Sequence, residues 1–436
     1  MLERIYAALK TQTPALVLES DPGKIESAYR YWRTRIMYSM ITGYAVFYFV
    51  RKNFSIANPE ISKEFGFSNT QMGTILSVST IVYAFSKFSS GVIADRANPR
   101  YFMAAGLILS AAANFFFGTA SALWFFIVFW AVNNLFQGMG MAPCSKLLST
   151  WFSPSARGRA FGIWNSSHQI GGAGILILSG YIVSNLGWRW AFFIPAIIAA
   201  IVSLFLVNRL RDTPASLGLP DPEGMPPRTE AQHAESGKDI FVNYILKNKM
   251  VWVVSFTNIF VYIVRTGVFD WAPKFLKNAR GFSTEEAGWA TSAFEMAGMF
   301  GAFFSGWLSD RVFGGRRGPV ALVFMAITAL SVFGLYQVQS GFLPIMILMS
   351  CIGFFLYGPQ VLVAIAAVDF ATPRAGAAAV GLTGLFGYIG ATICGIGTGV
   401  IVDAHGWNGG LMFYLVSAII GTLLFVTLLG RRPSPA

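Results

Sequence analysis

Two arginines stand where arginine is costly. Arg51 lies in the apolar, aromatic run Gly43–Phe54 and ends the pattern Tyr48-Phe-Val-Arg; Arg265 ends Tyr262-Ile-Val-Arg, 214 residues later. A charge at the centre of a membrane-spanning helix costs about 2.5–3.5 kcal/mol even on insertion scales, so each position implies a counter-ion, a ligand or a water-filled cavity. Arginine presents a planar fork of donors that matches phosphate oxygens, and its charge does not titrate away. The chemistry implied is capture of a compact anion. Tyr44, Tyr48 and Arg51 recur at i, i+4 and i+7 and share one helical face, as do Asn258, Tyr262 and Arg265. The intramembrane acids Asp270 and Glu295 are too few to neutralise five intramembrane bases, Arg51, Lys52, Lys87, Lys146 and Arg265. The plainer alternative pairs the two arginines with those acids as structural salt bridges.

Further candidates lie on other spans. Tyr83 and Lys87 pair at i, i+4. Trp164, Asn165 and His168 fall in Trp164-Asn-Ser-Ser-His168-Gln-Ile-Gly-Gly172, where Asn165, His168 and Gly172 share a face. His168 is read as a phosphate donor or as a group that follows the substrate's protonation, against a packing histidine bonded to a carbonyl. Tyr357 and Tyr388 offer hydroxyls to the same cavity, although a membrane tyrosine often only packs. Gly91-Val-Ile-Ala-Asp95-Arg96 and Gly306-Trp-Leu-Ser-Asp310-Arg311 are related turns, offset by 215 residues. They read as tight cytoplasmic connections whose charges latch the closed state. No phosphate-binding Gly-x-x-x-x-Gly-Lys-Ser/Thr loop, metal-ligand spacing or catalytic triad is legible, so neither an enzyme nor a cofactor is expected.

The elements that must position these residues follow from composition. The chain has 436 residues, 55% hydrophobic and 12% charged, with 45 glycines. A globular domain in water carries about 25% charged residues, and membrane helices are rich in Gly. An all-α, multi-pass membrane protein is expected. Twelve spans are placed near 36–57, 70–92, 101–119, 122–150, 160–183, 190–208, 251–272, 284–307, 318–338, 342–367, 376–402 and 408–429, with a bend in the fourth at Gly138, Gly140 and Pro143. Arg51 and Arg265 then sit at one depth, roughly 21–23 Å from the cytoplasmic edge. A Pro-rich, polar linker over 210–248 separates an N-terminal tail and six-helix bundle (1–209) from a C-terminal six-helix bundle (249–436). Of the 32 Lys and Arg residues, 22 fall in the tails and in the loops on one side. That places both termini in the cytoplasm and explains the net charge of +12 without nucleic acid. Cys144, Cys351 and Cys394 read as packing residues. The first 35 residues hold no apolar run of signal-peptide length. Two independent features repeating at nearly one offset mark a carrier built from parallel repeats, with its site between the halves.

Together these motifs resemble the major facilitator superfamily, and within it the organophosphate:phosphate antiporters, which include hexose-phosphate, glycerol-3-phosphate and phosphoglycerate carriers. The resemblance covers nearly the whole chain. It is most specific in Arg157-Gly158, Trp164-Asn165 and His168-Gln169-Ile170-Gly171-Gly172, where the family usually has Asn at the position of Gln169. Tyr48-x-Val-Arg-Lys-Asn-Phe54 and Tyr262-x-Val-Arg265 look like the family's two substrate arginines, His168 its cavity histidine and Lys87 its lysine on the second span. The resemblance implies a major facilitator fold of two pseudo-symmetric bundles in the inner membrane, acting as a monomer among membrane lipids. It also implies rocker-switch exchange of inorganic phosphate for a phosphate ester. Two arginines facing an empty cavity repel, and a dianionic phosphate between them reverses the sign. Tyr29-Arg-Tyr-Trp-Arg33 and Asn58-Pro-Glu-Ile61 favour a hexose phosphate, while the uncharged Val380–Tyr388 is more similar to the glycerol-3-phosphate members. A sugar-phosphate sensor with little transport and a proton-coupled carrier are the other readings.

Overall fold

A computed structural model describes residues 11–12, 15, 18–222, 245–371 and 375–430. Most of the 210–248 linker therefore lies outside the described residues. The helices are α1 (Pro22–Phe65), α2 (Asn69–Arg96), α3 (Pro99–Thr119), α4 (Leu123–Gln137), α5 (Met141–Trp151), α6 (Pro154–Asn165), α7 (Ser167–Leu186) and α8 (Trp190–Arg209) in the first half. The second half holds α9 (Lys249–Arg280), α10 (Thr284–Arg311), α11 (Arg317–Gln337), α12 (Phe342–Phe370) and α13 (Gly376–Val426). Among the described residues nine stretches are long and apolar enough to cross a membrane. The charged α1 and α10 complete the set, and α13 is two spans joined at Gly406, whose φ of +68° interrupts the helical path. This is the expected twelve-span, all-α fold.

Local chemistry sets the helix ends. Pro99 occupies the first turn of α3, and the Asn98 side chain accepts from the Arg100 N–H at 3.1 Å. Ser283 and Glu286 form a reciprocal capping box at the start of α10. The fourth span breaks where expected, with α4 ending at Gln137 and α5 starting at Met141. Gly138 is required there: a Cβ at this position would lie 2.2 Å from Ser86 Oγ and 2.8 Å from the Lys87 backbone nitrogen on α2. The fifth span is likewise divided, α6 from α7, at Ser166. In the first half α3 packs on α8; in the second α11 packs on α13, α9 on α13 and α10 on α12.

Contacts divide the chain into two compact units. Unit 1 comprises Met1–Asn53, Val82–Ile175 and Arg189–Gln232; unit 2 comprises Phe54–Ile81, Leu176–Trp188 and His233–Ala436. The unit 1 core is built on Phe47, Val50, Met103, Leu107, Leu147 and Trp164, with Ala199 and Leu206 from α8. The parts of α1, α2 and α7 over residues 54–65, 69–81 and 176–186 belong to unit 2, packed with second-half helices. There α2 and α13 meet backbone to backbone, since a Cβ on Gly73 would lie 2.4 Å from the Gly395 carbonyl oxygen.

Candidate substrate-binding site

Within unit 1, the direction of Arg51 is fixed from one residue away. The Val50 carbonyl accepts from Asn114 Nδ2 of α3 at 2.7 Å and from Asn133 Nδ2 of α4 at 2.8 Å. Asn53 then donates to Asn114 Oδ1 at 2.8 Å and to the Ala191 carbonyl of α8 at 2.9 Å. All three asparagines are buried. In an apolar interior such bonds are obligatory, so this lattice pins the rotation of α1 about its axis. The Arg51 guanidinium lies 3.8 Å from the Tyr83 ring centroid and 5.5 Å from that of Tyr48, within cation–π range of both.

The same unit gathers most of the first-half candidates. Tyr44 packs against Tyr48 at 5.7 Å and against Trp164 at 4.9 Å between ring centroids, and Tyr48 against His168 at 5.7 Å. The Asn165 carbonyl meets Nδ1 of His168. A carbonyl can only accept, so Nδ1 is the donor of this bond. This bond was the plainer reading of His168, and it also orients the ring. Lys87 is half-buried on α2, one turn beyond Tyr83, as the i, i+4 spacing requires.

Unit 2 carries a matching arrangement around Arg265. Its guanidinium lies 5.6 Å from the Tyr262 ring and 5.2 Å from the Tyr357 ring, and Nη2 donates to the Tyr357 hydroxyl at 3.3 Å. The Tyr357 hydroxyl donates in turn to Glu295 Oε1, a carboxylate with no exposed surface. Tyr388 packs against Tyr262 with centroids 6.0 Å apart. Asn258, on the Arg265 face of α9, donates to the Thr383 carbonyl at 2.7 Å and ties α9 to α13. Tyr357 owes its place to Gly298, where a Cβ would lie 2.2 Å from its ring. Of the two intramembrane acids, Glu295 accepts from the Tyr357 hydroxyl and Asp270 from that of Ser55 at 3.3 Å.

The two Asp-Arg turns are held by bases that the turns themselves do not contain. In unit 1, Lys146 Nζ donates to the Asp95 carbonyl at 3.2 Å and the Ala97 carbonyl at 2.7 Å, and lies 3.7 Å from Asp212 Oδ1. The Arg96 carbonyl accepts from the Thr11 N–H. Burial pushes the Asp212 carboxyl above the ordinary carboxylate range, against the opposing pull of the Gln12 N–H and Lys146. In unit 2, Asp310 pairs with Arg317, which also donates to Asp369 Oδ2 at 2.9 Å; Arg311 is exposed. Arg317 and Asp369 carry no local signal in the sequence beyond their charge.

A further set in unit 2 joins the end of α1 and the start of α2 to the second half. Asp403 accepts from the Asn69 N–H at 3.0 Å, Asn69 Nδ2 at 2.8 Å, the Thr70 N–H at 2.7 Å and Thr70 Oγ1 at 2.6 Å. Lys277 pairs with Glu60, and the buried Lys274 donates to Ser62 Oγ at 2.8 Å. The span edges near 272 and 284 leave both lysines in a connection; α9 instead continues as helix to Arg280 and carries them.

Comparison with known proteins follows this geometry. The chain matches the family model described as Major Facilitator Superfamily over residues 40–393 and 273–436. It is 41% identical over 433 residues to a probable hexose phosphate transport protein of Chlamydia trachomatis, covering 95% of each chain. It is 41% identical to the glycerol-3-phosphate transporter of Bacillus subtilis, covering 94% of each. It is 38% identical to the membrane sensor protein UhpC of Escherichia coli, over 95% of this chain and 96% of the relative. In fold it is similar to a bacterial homologue of the human lysosomal transporter Spinster, solved inward-facing and unoccupied, with a TM-score of 0.79 at 18% identity, covering 96% of this chain and 100% of the other.

Proposed function

Since the chain belongs to the major facilitator superfamily, a family of transporters and not of enzymes, we propose that it carries a phosphate ester, hexose 6-phosphate foremost, across the inner membrane in exchange for inorganic phosphate. Both termini are assigned to the cytoplasm on the distribution of Lys and Arg. The observation that carries the reading is the repeated arginine setting. Arg51 and Arg265 each end a Tyr-x-Val-Arg pattern, and each guanidinium lies against two tyrosine rings in its own unit. Aromatic faces stabilise a guanidinium through cation–π contact, and its planar fork of N–H groups matches phosphate oxygens. In this reading both arginines bind the phosphate, His168 and Lys87 add donors, and the tyrosines and Trp164 shape the cavity. Substrate charge then lowers the energy of the occluded state relative to the empty one, which favours exchange over net return of the empty carrier.

The relatives support the phosphate-ester class through their names, hexose phosphate and glycerol-3-phosphate alike, so the ester is the finer part of the proposal. The membrane sensor among them supports a second reading, binding with little transport. Proteoliposomes loaded with phosphate separate these. Uptake of labelled glucose 6-phosphate together with phosphate self-exchange is the expected result, and glycerol 3-phosphate as competitor ranks the esters. Arg265→Lys keeps the charge but loses the planar fork, and is expected to reduce exchange roughly 10- to 100-fold, the range for one or two charge-assisted bonds. Binding without exchange would select the sensor. Neither binding nor exchange in folded protein would overturn the phosphate-ester assignment.

A further inference from the structure

A second basic cluster lies in unit 1, apart from Arg51. A cavity of about 520 Å³ opens between the start of α1 and the end of α8, lined by Arg30, Arg35 and Arg209 with Tyr31, Thr34 and Tyr38. Glu26 is the one acid on its wall; it is largely exposed and lies 3.2 Å from Arg30. Arg35 is fixed in place. Its Nε donates to the Arg209 carbonyl at 3.3 Å, and Nη2 to the Asn208 carbonyl at 3.1 Å and to Asn208 Oδ1 at 3.3 Å. A guanidinium at a helix C-terminus is favourable in itself, and this accounts for Arg100, bonded to the Val207 carbonyl, and Arg211, bonded to the Asn208 and Leu210 carbonyls, as well as for Arg35. It does not account for Arg30 and Arg209, which line the recess beside Arg35. The Arg35 and Arg211 guanidinium groups both lie 5.1 Å from the same Trp32 ring. Arg211 is held below its ordinary range, first by burial and then by the nearby charges of Arg100 and Arg35. Three arginines against one exposed acid give the recess a positive potential that suits an anion.

The neighbouring surface indicates how that anion is presented. Ile197, Ile201, Leu204 and Asn208 follow at i, i+4, i+7 and i+11 on one face of α8. The three apolar members are 56%, 62% and 72% exposed, and the fourth is the residue bonded to Arg35. An apolar track therefore leads along a membrane-spanning helix into a basic recess, with the amphipathic rings of Tyr31 and Tyr38 at its mouth. We propose that the recess between α1 and α8 binds a phosphate group, presented by an anionic lipid headgroup whose acyl chain lies along Ile197, Ile201 and Leu204. The proposal does not depend on which ester is carried, or on whether the chain transports at all.

Native mass spectrometry of the detergent-purified full chain tests it, with phosphatidylglycerol, phosphatidylcholine and inorganic phosphate as separate probes. The expected result is retention of phosphatidylglycerol well above phosphatidylcholine, weakened roughly 30-fold in R30Q/R209Q, since each basic side chain near an anionic surface contributes a factor of about five. L204N is expected to weaken the lipid while leaving inorganic phosphate unchanged. Arginine-dependent retention of inorganic phosphate without the lipid would keep the phosphate site and overturn its lipid source. Equal retention of both lipids, or no change in R30Q/R209Q, would overturn the site. If the double variant does not fold, Arg30→Gln alone serves, because that side chain is largely exposed and supports no core contact.

Discussion

Arg265 shows how one side chain can be held from several sides. Tyr357 stands between it and Glu295, accepting from the guanidinium and donating to the carboxylate. Glu295 is wholly buried, so the tyrosine hydroxyl gives its carboxyl group a hydrogen-bond partner while orienting the arginine. Tyr357→Phe removes that hydroxyl and leaves the ring in place against Gly298. The variant is expected to lose about 1–3 kcal/mol of stability, the cost of stripping a partner from a buried acceptor, read as a lower melting temperature in detergent. Phosphate affinity should fall several-fold with it, because the guanidinium is no longer aimed; equal phosphate affinity in both proteins would show that Tyr357 only packs. On the other arginine, Tyr83→Leu keeps the apolar volume and removes the face 3.8 Å from Arg51. A cation–π contact away from bulk water contributes about 1–2 kcal/mol, so a roughly 5- to 30-fold weaker phosphate dissociation constant is expected in a binding assay.

At the scale of helices, the asparagines on α1, α3 and α4 decide where Arg51 points. Asn114→Ala deletes the donor to Val50 and the acceptor for Asn53, leaving Asn53 short of a partner inside the unit 1 core. A drop in stability of about 1–3 kcal/mol is expected, with phosphate binding weakened although Asn114 is not among the proposed substrate-binding residues; thermal melting with and without phosphate checks both parts. Asn114→Asp, which retains an acceptor only, should be no better. These helices show what a sequence makes legible and what it does not. Apolar length located the spans, and glycines and a proline located the break at Gly138–Gly140, because those signals are local. The shared faces of Tyr44, Tyr48 and Arg51, and of Tyr262 and Arg265, were readable from helical periodicity alone. The asparagine lattice was not, since its bonds join residues 61 and 83 positions apart and depend on the rotation of each helix. Asn53 was quoted only as part of a motif. The same reason hid Arg317 behind Asp310 and placed Lys274 and Lys277 in a loop: charge advertises a residue, whereas its partner is chosen by packing.

At the scale of the whole molecule, the proposed exchange requires contacts that form in one state and break in another. Unit 2 contains a set suited to that task, joining the ends of α1 and α2 that meet between Phe65 and Asn69 to the second half. Asp403 is its strongest member. Its carboxylate accepts two backbone N–H groups and two side-chain donors at the first turn of α2, where the helix dipole also favours a negative charge. Behind this cap, Ser77 of α2 donates to the Thr392 carbonyl at 2.7 Å and accepts from the Ile396 N–H at 2.8 Å, in a crossing so close that glycine faces glycine. If α2 must leave α13 when the outer side opens, the cap sets part of the cost of leaving. Asp403→Ala removes it and creates no new contact. Loss of a helix cap costs about 0.5–2 kcal/mol, which corresponds to a roughly 2- to 30-fold larger open population. The measurement is the rate at which a membrane-impermeant thiol reagent modifies Ser77→Cys, in a background where Cys144, Cys351 and Cys394 are serine. Faster modification with Asp403→Ala, slowed again by a saturating phosphate ester that favours occlusion, is the expected outcome. An unchanged rate would mean that Asp403 caps α2 without governing the outer contact, and would leave Lys277–Glu60 and the glycine crossing to hold it.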